Sequence, residues 1–257
     1  MSNTRPIQLL PIFHIPEIRP GDDLPRILIA AAKKSDLSFR PNDILVLAQK
    51  IISKSENRLI DLTTITPSKR AIDLAAASGH DRNRKDPRLV EIILRESRRI
   101  VREHPVLIVE THHGFVCANA GVDQSNIPGE NLVSLLPHNP DASARKIAQA
   151  LRKLTRKKIA VIISDTFGRP WRLGLTNVAI GAYGIAPLQD LRGSRDAHGK
   201  ALHATVIATA DELASAAALA MPKSAAIPAV IIRNFAFASS TAPATSIIRP
   251  PNADLFR

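Results

Sequence analysis

The sequence predicts a mixed α/β chain of the α+β class, and three observations carry that reading. Apolar runs of strand length alternate with helically spaced apolar residues along the whole chain. The composition is that of a packed soluble protein, with 45% hydrophobic and 23% charged residues and a mean hydropathy of -0.01. No apolar run approaches the ~18 to 20 residues of a membrane span, since Ile159 to Ile163 and Ala229 to Ile232 are each soon broken by charge. At 257 residues the chain is expected to form one domain over residues 1–257, with room for two subdomains.

Ile7 to Phe13 reads as the first strand. Gly21-Asp22-Asp23-Leu24-Pro25 opens a helix that runs through Lys34, with aspartate as N-cap and proline in the first turn. Asp43 to Ala48 is an apolar run of strand length, after which Gln49 to Lys54 turns abruptly polar and basic. Pro67 to Ala77 and Asp86 to Arg102 read as helices. The second carries Arg95, Arg98, Arg99 and Arg102 toward its C-terminal end, where the helix dipole favours cations. Strands Val106 to Glu110 and Gly114 to Ala118 surround His112-His113, a pair without the HExxH spacing of a metal-binding helix. Asp141 is the expected cap of a helix with Ile147, Ala148, Leu151 and Leu154 on one face. Lys158 to Ser164 is a buried strand ending in Asp165-Thr166. A strand at Asn177 to Gly181, an alanine-rich helix from Ala210 to Met221 and a strand at Ile227 to Arg233 follow. Residues 236–257, rich in Ser, Ala, Thr and Pro, read as a surface-running tail.

Lysine and arginine number 35 against 23 acids, a formal net charge of +12 and a pI near 10.4. This favours anionic partners: nucleic acid, acidic lipid or phosphorylated metabolites. Aromatics are only 4%, which argues against a domain that stacks bases on exposed rings. The basic clusters at Arg82 to Lys85, Arg95 to Arg102, Arg145 to Lys158 and Arg192 to Arg195 are dispersed among structured segments, as solvated helix faces are. The opening MSNTRPIQLL has no secretory pattern, so a cytoplasmic protein is expected. The single cysteine, Cys117, excludes an internal disulfide and lies in an apolar run, where a buried core residue fits better than a nucleophile.

Three segments place polar clusters at strand ends, where side chains leave the core and can meet a ligand. Lys50, Ser53 and Lys54 offer two ammonium groups and a hydroxyl to phosphate oxygens, or are the ordinary lysines of a strand end. Asn119, Asp123, Ser125 and Asn126 surround Ala120-Gly121 with hard oxygens of the kind that bind magnesium or manganese, or form an Asx turn without ligand. Ser164 to Arg172 joins Asp165 and Thr166 to a glycine and to Arg169 and Arg172, two arginines suited to gripping phosphate or carboxylate. Together they describe a divalent cation holding a polyphosphate beside an anionic substrate. A metal-dependent nucleotide phosphohydrolase needs the same aspartates. A basic nucleic-acid-binding protein without catalysis rests on the net charge alone.

AQKIISK (48–54), DPRLVEIILRESRRIV (86–101), GFVCANAGVDQSN (114–126), LPHNPDASA (136–144), ISDTFGRPWR (163–172), VAIGAYGIAPLQDLRG (178–193) and IRPPNADLFR (248–257) stand in an order that resembles the coenzyme F-420-0:L-glutamate ligase family. The resemblance runs over essentially the whole chain. It implies the family's distinctive α+β fold, a homodimer, and a single-domain form without the C-terminal reductase domain of some bacterial relatives. It also implies a GTP-dependent ligase that joins L-glutamate in gamma linkage to the lactyl carboxylate of the deazaflavin F-420-0, with magnesium or manganese and potassium. Carried over residue by residue, Ile15-Pro16-Glu17-Ile18, Gln49, Lys50, Lys54 and Asn126 are expected at GTP. Asp123 and Asp165 are expected on a first metal and Thr166 on a second. A further GTP loop corresponds to Met221-Pro222-Lys223-Ser224. There Pro222 lacks an amide donor, and Lys223 stands where some relatives have an oxygen-bearing metal ligand. Lys54, Asp123, Asp165, Arg169 and Arg172 are the expected catalytic set.

Overall fold

Ile44 to Ala48 is apolar without alternation because its strand is covered on both faces. The computed structural model describes residues 5–78 and 84–254. The strands in chain order are β1 (Gln8–Pro11), β2 (Ile44–Ala48), β3 (Leu59–Asp61), β4 (Ser97–Arg102), β5 (Ile108–Thr111), β6 (Val116–Ala118), β7 (Leu132–Ser134), β8 (Ala160–Arg169), β9 (Arg172–Tyr183), β10 (Gln189–Asp190), β11 (Val206–Ile207) and β12 (Ala229–Arg233). The helices are α1 (Leu24–Lys34), α2 (Gln49–Ser55), α3 (Lys69–Ala77), α4 (Pro87–Arg95), α5 (Pro140–Thr155) and α6 (Thr209–Ala218).

The central sheet runs β1-β12-β2-β8-β9. Leu45 and Leu47 of β2 pack with α1 and α5 on one face, through Leu28, Ile147 and Leu151. Ile44 and Val46 pack with α6 on the other, through Leu213 and Ala214. Both layers are therefore read off one strand by its two-residue period. A third core, built on Leu62, Ala71, Val90, Ile93, Val109 and Leu135, lies under α3, α4 and the small antiparallel sheets β4-β5-β6 and β3-β7.

One feature of the topology creates the site. β2 and β8 are parallel with Ala48 opposite Ser164, so the residues after both strands emerge side by side. β12 is antiparallel to β2, which brings the segment before it to the same edge. The Ala48 amide donates to the Pro228 carbonyl there, at 2.8 Å.

Four expectations change. The helix from Asp86 ends at Arg95, and Ser97–Arg102 is strand β4, paired antiparallel with β5. Arg98 and Arg99 reach Glu110 across that pair at 3.6 and 2.7 Å, and β-branched Ile100 and Val101 suit a strand. The cap of α5 is Asn139, whose Oδ1 accepts from the Ala142 amide at 2.9 Å. Asp141 lies in the first turn and its Oδ1 accepts from the Ala182 and Ala244 amides, both at 2.8 Å, tying β9 and the tail to α5. β8 does not end at Ser164 but continues through Asp165 and Thr166 to Arg169 as one arm of a long hairpin with β9. The tail is largely surface-running, yet Ala244 is fully buried in the α6 core. Arg82 and residues 255–257 lie outside the described residues. No helix among the described residues is long and apolar enough to cross a membrane.

Candidate active site

The edge of the sheet at Ala48 and Ser164 gathers side chains from four separate stretches. The first is α2, which starts directly after β2 and extends the polar Gln49 to Lys54 segment over two helical turns. Gln49 is buried, and its Oε1 accepts from Ser53 Oγ at 2.7 Å while its Nε2 has no acceptor among the described residues. A buried donor left unpaired is costly, and a ligand oxygen would satisfy it.

Lys54 is also buried, its side chain 8% exposed. Its ammonium donates to Glu17 Oε1 at 2.6 Å and to the Asn126 carbonyl at 3.0 Å. One cation thus joins the Ile15-Pro16-Glu17-Ile18 segment, α2 and the Asn126 turn. Ile18 is buried in the main core and Ile15 packs against it, which anchors that segment.

Asp123 arrives on a strained turn. Asn119, Ala120 and Gly121 all have left-handed backbones, with φ of 54, 56 and 69°. A Cβ on Gly121 would lie 2.8 Å from Leu136 Cδ2, so the position also lacks space. The Lys85 ammonium donates to Asn119 Oδ1 and holds the turn from outside. Asp123 then bridges to Ser134, amide to carbonyl in both directions, at 3.1 and 2.8 Å. Strain of this kind persists only where surrounding contacts over-determine it.

The Asp123 carboxylate accepts from Lys50 Nζ at 2.8 Å and from the Ser125 amide and hydroxyl at 2.7 and 3.0 Å. Burial raises its carboxyl, but the hydrogen bonds from Lys50 and Ser125 outweigh that and hold it below the ordinary carboxylate range. Asp165 behaves oppositely. Burial pushes its carboxyl up to about 6; the Thr166 amide pulls it down, the Asp123 charge adds to the rise, and Lys50 and Lys223 oppose it. A β-bulge lies immediately before it, since Ile163 pairs with Gly181 but Ser164 with Ala179. Cys117 is nearby and inert: burial, then the Asp165 charge, push its thiol to about 12.

Two carboxylates that raise one another's cost, one of them already matched by an ammonium, form a donor set that suits a divalent cation. No group of three His, Cys, Asp or Glu side chains able to hold a metal occurs among the described residues. A cation on Asp123 and Asp165 would complete its shell with phosphate oxygens and water, as magnesium commonly does. Thr166, expected on a second cation, donates its hydroxyl proton to Asn177 Oδ1 at 2.9 Å, which orients the oxygen and leaves its lone pairs free, while the positive charge of Lys223 acts on Asp165.

The remaining expected residues divide. Met221 packs partly buried against the α6 core, Lys223 lies within charge range of Asp165, and Ser224 is exposed. Arg169 and Arg172 flank the tip of the β8–β9 hairpin, four or more residues of extended chain beyond Asp165, roughly 13 Å at strand rise. Both are exposed, and Arg169 Nη2 donates to the Leu173 carbonyl at 3.0 Å. The fold therefore does not bring them to the aspartates of their own chain. Lys85, Ser134 and Asn177 support the site and went unread in the sequence, because each acts on a residue far along the chain or on a facing strand.

The sequence profile described as F420-0:Gamma-glutamyl ligase matches residues 13–234. A protein of Methanothermobacter thermautotrophicus named "Coenzyme F420:L-glutamate ligase" is 43% identical over 255 residues, 98% of this chain and 99% of its own. Proteins of the same name from Methanopyrus kandleri and Methanocaldococcus jannaschii are 44% identical over 247 residues and 46% over 217, covering 94% and 84% of each chain. With its profile match and these full-length relatives, the chain belongs to the F420-0:gamma-glutamyl ligase family.

Proposed function

We propose that the chain is a cytoplasmic GTP-dependent ligase that adds L-glutamate, in gamma linkage, to the lactyl carboxylate of coenzyme F-420-0. One observation carries the reading: the α2 side chains Gln49, Lys50 and Lys54 meet Asp123 and Asp165 at one edge of the sheet. The named activity of the relatives supports the substrate class.

In this reading GTP lies over α2, with its phosphates at Lys50 and Lys54 and an oxygen accepting from Gln49 Nε2. Asp123 and Asp165 hold magnesium or manganese, which supplies charge neutralisation at the transferring phosphate. The substrate carboxylate attacks the terminal phosphate, releasing GDP and leaving an acyl phosphate. Glutamate's amine then displaces inorganic phosphate and loses a proton as the amide forms. A thioester route is disfavoured by Cys117, whose thiol stays protonated at neutral pH.

The exposed tip of the β8–β9 hairpin supports the homodimer that the resemblance implies. Leu173 is 99% and Trp171 76% exposed on an arm that projects beyond the sheet. A second copy covering that arm would bury its apolar side chains and carry Arg169 and Arg172 toward the partner's site, where two arginines suit the acceptor's phosphodiester or glutamate's carboxylates. The test is direct. Purified protein with GTP, manganese, glutamate and F-420-0 should yield a product heavier by one or more glutamyl units. GTP turnover with no such product would favour a phosphohydrolase instead.

A further inference from the structure

We propose a second ligand site, at the end of the central sheet opposite Asp123 and Asp165: a pocket for a small phosphorylated molecule bearing a flat ring. Its walls come from residues that flank the same strands. Asp43 precedes β2, Lys158 precedes β8, Tyr183 ends β9 and Arg233 ends β12. The five-residue strand β2 runs from this end to Ala48, roughly 17 Å of strand. The cavity holds about 870 Å³, the size of pockets that enclose nucleotide-sized ligands.

Its charge is not balanced from within. Asp43 is the one carboxylate in the lining, and it is fully engaged. Its Oδ1 accepts from Arg233 Nε at 2.9 Å, and its Oδ2 from Arg233 Nη2 at 2.8 Å and the Arg40 amide at 2.7 Å. Arg233 is further fixed by donating to the Ser38 carbonyl at 2.7 Å. This buried pair forms a rigid base. Around it stand Arg5, Arg40, Arg152 and Lys158, exposed and in no ion pair among the described residues. Four like charges around one hollow repel one another and concentrate anions there. Tyr183, Phe235 and Phe237 supply an aromatic wall on which a ring can lie.

A dispersed basic surface would be an ordinary solvated face. Concavity, a locked Asp43–Arg233 base and the aromatic wall together distinguish this place from one. Concavity also favours a small molecule over nucleic acid, whose phosphates track along an open stripe.

The test uses the full chain carrying Lys54→Ala, so that the Asp123 edge contributes little nucleotide binding. Titration calorimetry with adenosine diphosphate should show one saturable site. Inorganic pyrophosphate should bind the same site more weakly, because it lacks the ring. In a Trp171→Phe background Tyr183, the sole tyrosine, should change its emission as pyrophosphate binds. Arg40→Ala with Lys158→Ala should weaken both ligands about tenfold or more while leaving the melting temperature intact, and the same pair placed in the chain with Lys54 present should leave glutamate ligation intact. If that pair fails to fold, Arg152→Glu, on the exposed side of α5, should give the same loss. Equal adenosine diphosphate binding with and without these changes, or none in the Lys54→Ala chain, would overturn the proposal. So would binding of a short RNA through Arg40 and Lys158 with no binding of either small ligand.

Discussion

The Lys50 ammonium lies 2.8 Å from Asp123 Oδ2, so a carboxylate suited to a divalent cation is already matched by a cation of the protein's own. The lysine also donates to the Ser125 carbonyl at 2.8 Å and to its hydroxyl at 2.6 Å. Under the proposed function, a metal bound there would displace Lys50 toward whatever anion the metal brings. Lys50 would then compete with the metal when nucleotide is absent and assist it when nucleotide is present.

Replacing Lys50 by alanine should consequently act in opposite directions on two measurements. Manganese affinity without nucleotide should rise, by about tenfold, because an opposing positive charge within hydrogen-bond range is gone. The KM for GTP should rise as well, because a phosphate contact is lost. Manganese binding followed by electron paramagnetic resonance, beside steady-state kinetics, reads both. Unchanged manganese affinity would show that Asp123 is not the metal's ligand.

Asp165 ties stability to pH in the metal-free protein. Its folded carboxyl titrates near 6, above the ordinary 3.8. Because the folded value is raised, folding favours the protonated form. The penalty is absent below about pH 3.8, grows as pH rises through 6, and reaches about 3 kcal/mol above it. Asp165→Asn should then stabilise the metal-free chain at pH 7 to 8, lose that advantage near pH 4, and abolish ligation at either pH. Thermal melts across this range check it, and a variant no more stable than wild type at pH 8 would contradict the assigned burial. The same titration predicts that manganese affinity of the wild type falls as pH drops below about 6, where protons compete for Asp165.

Lys54→Ala should separate a built phosphate site from diffuse charge. It deletes a buried ammonium bonded to Glu17 and to the Asn126 carbonyl. GTP binding should weaken ~30-fold or more, since Glu17 loses its partner as well. Lys153→Ala, on the exposed face of α5, should leave binding nearly unchanged. Equal losses in the two variants would mean that net charge, and not this turn, holds the nucleotide.

What the sequence made legible follows the range of the interaction that fixes each element. β2 was readable because burial on both faces leaves an unbroken apolar run; the polar switch at Gln49 marked where the strand leaves the core, but not that Gln49–Ser55 winds into helix α2. The cap of α1 at Asp23 was readable because it acts within three residues. Ser97–Arg102 was misread because its three arginines, Arg98, Arg99 and Arg102, suit a helix end locally, while Glu110 on the facing strand decides otherwise. The hairpin tip at Pro170-Trp171 looked like a loop rising from Asp165, since nothing local says that β8 and β9 stay paired beyond Thr166. Asp123, Asp165 and Lys54 stood out by residue type and position. Their pairing with Lys50, Glu17 and each other did not, because each contact joins segments dozens of residues apart.

The path of the phosphoryl group tests the account most directly. F-420-0 labelled with heavy oxygen in its lactyl carboxylate, supplied with GTP, manganese and glutamate, should pass one labelled oxygen to inorganic phosphate for every glutamyl unit joined, because the carboxylate attacks phosphorus and that oxygen leaves with it. Mass analysis of the released phosphate reads the outcome. Unlabelled phosphate formed alongside glutamylated product would contradict the acyl phosphate. Phosphate bearing solvent oxygen, with no glutamylated product, would contradict the ligase assignment itself.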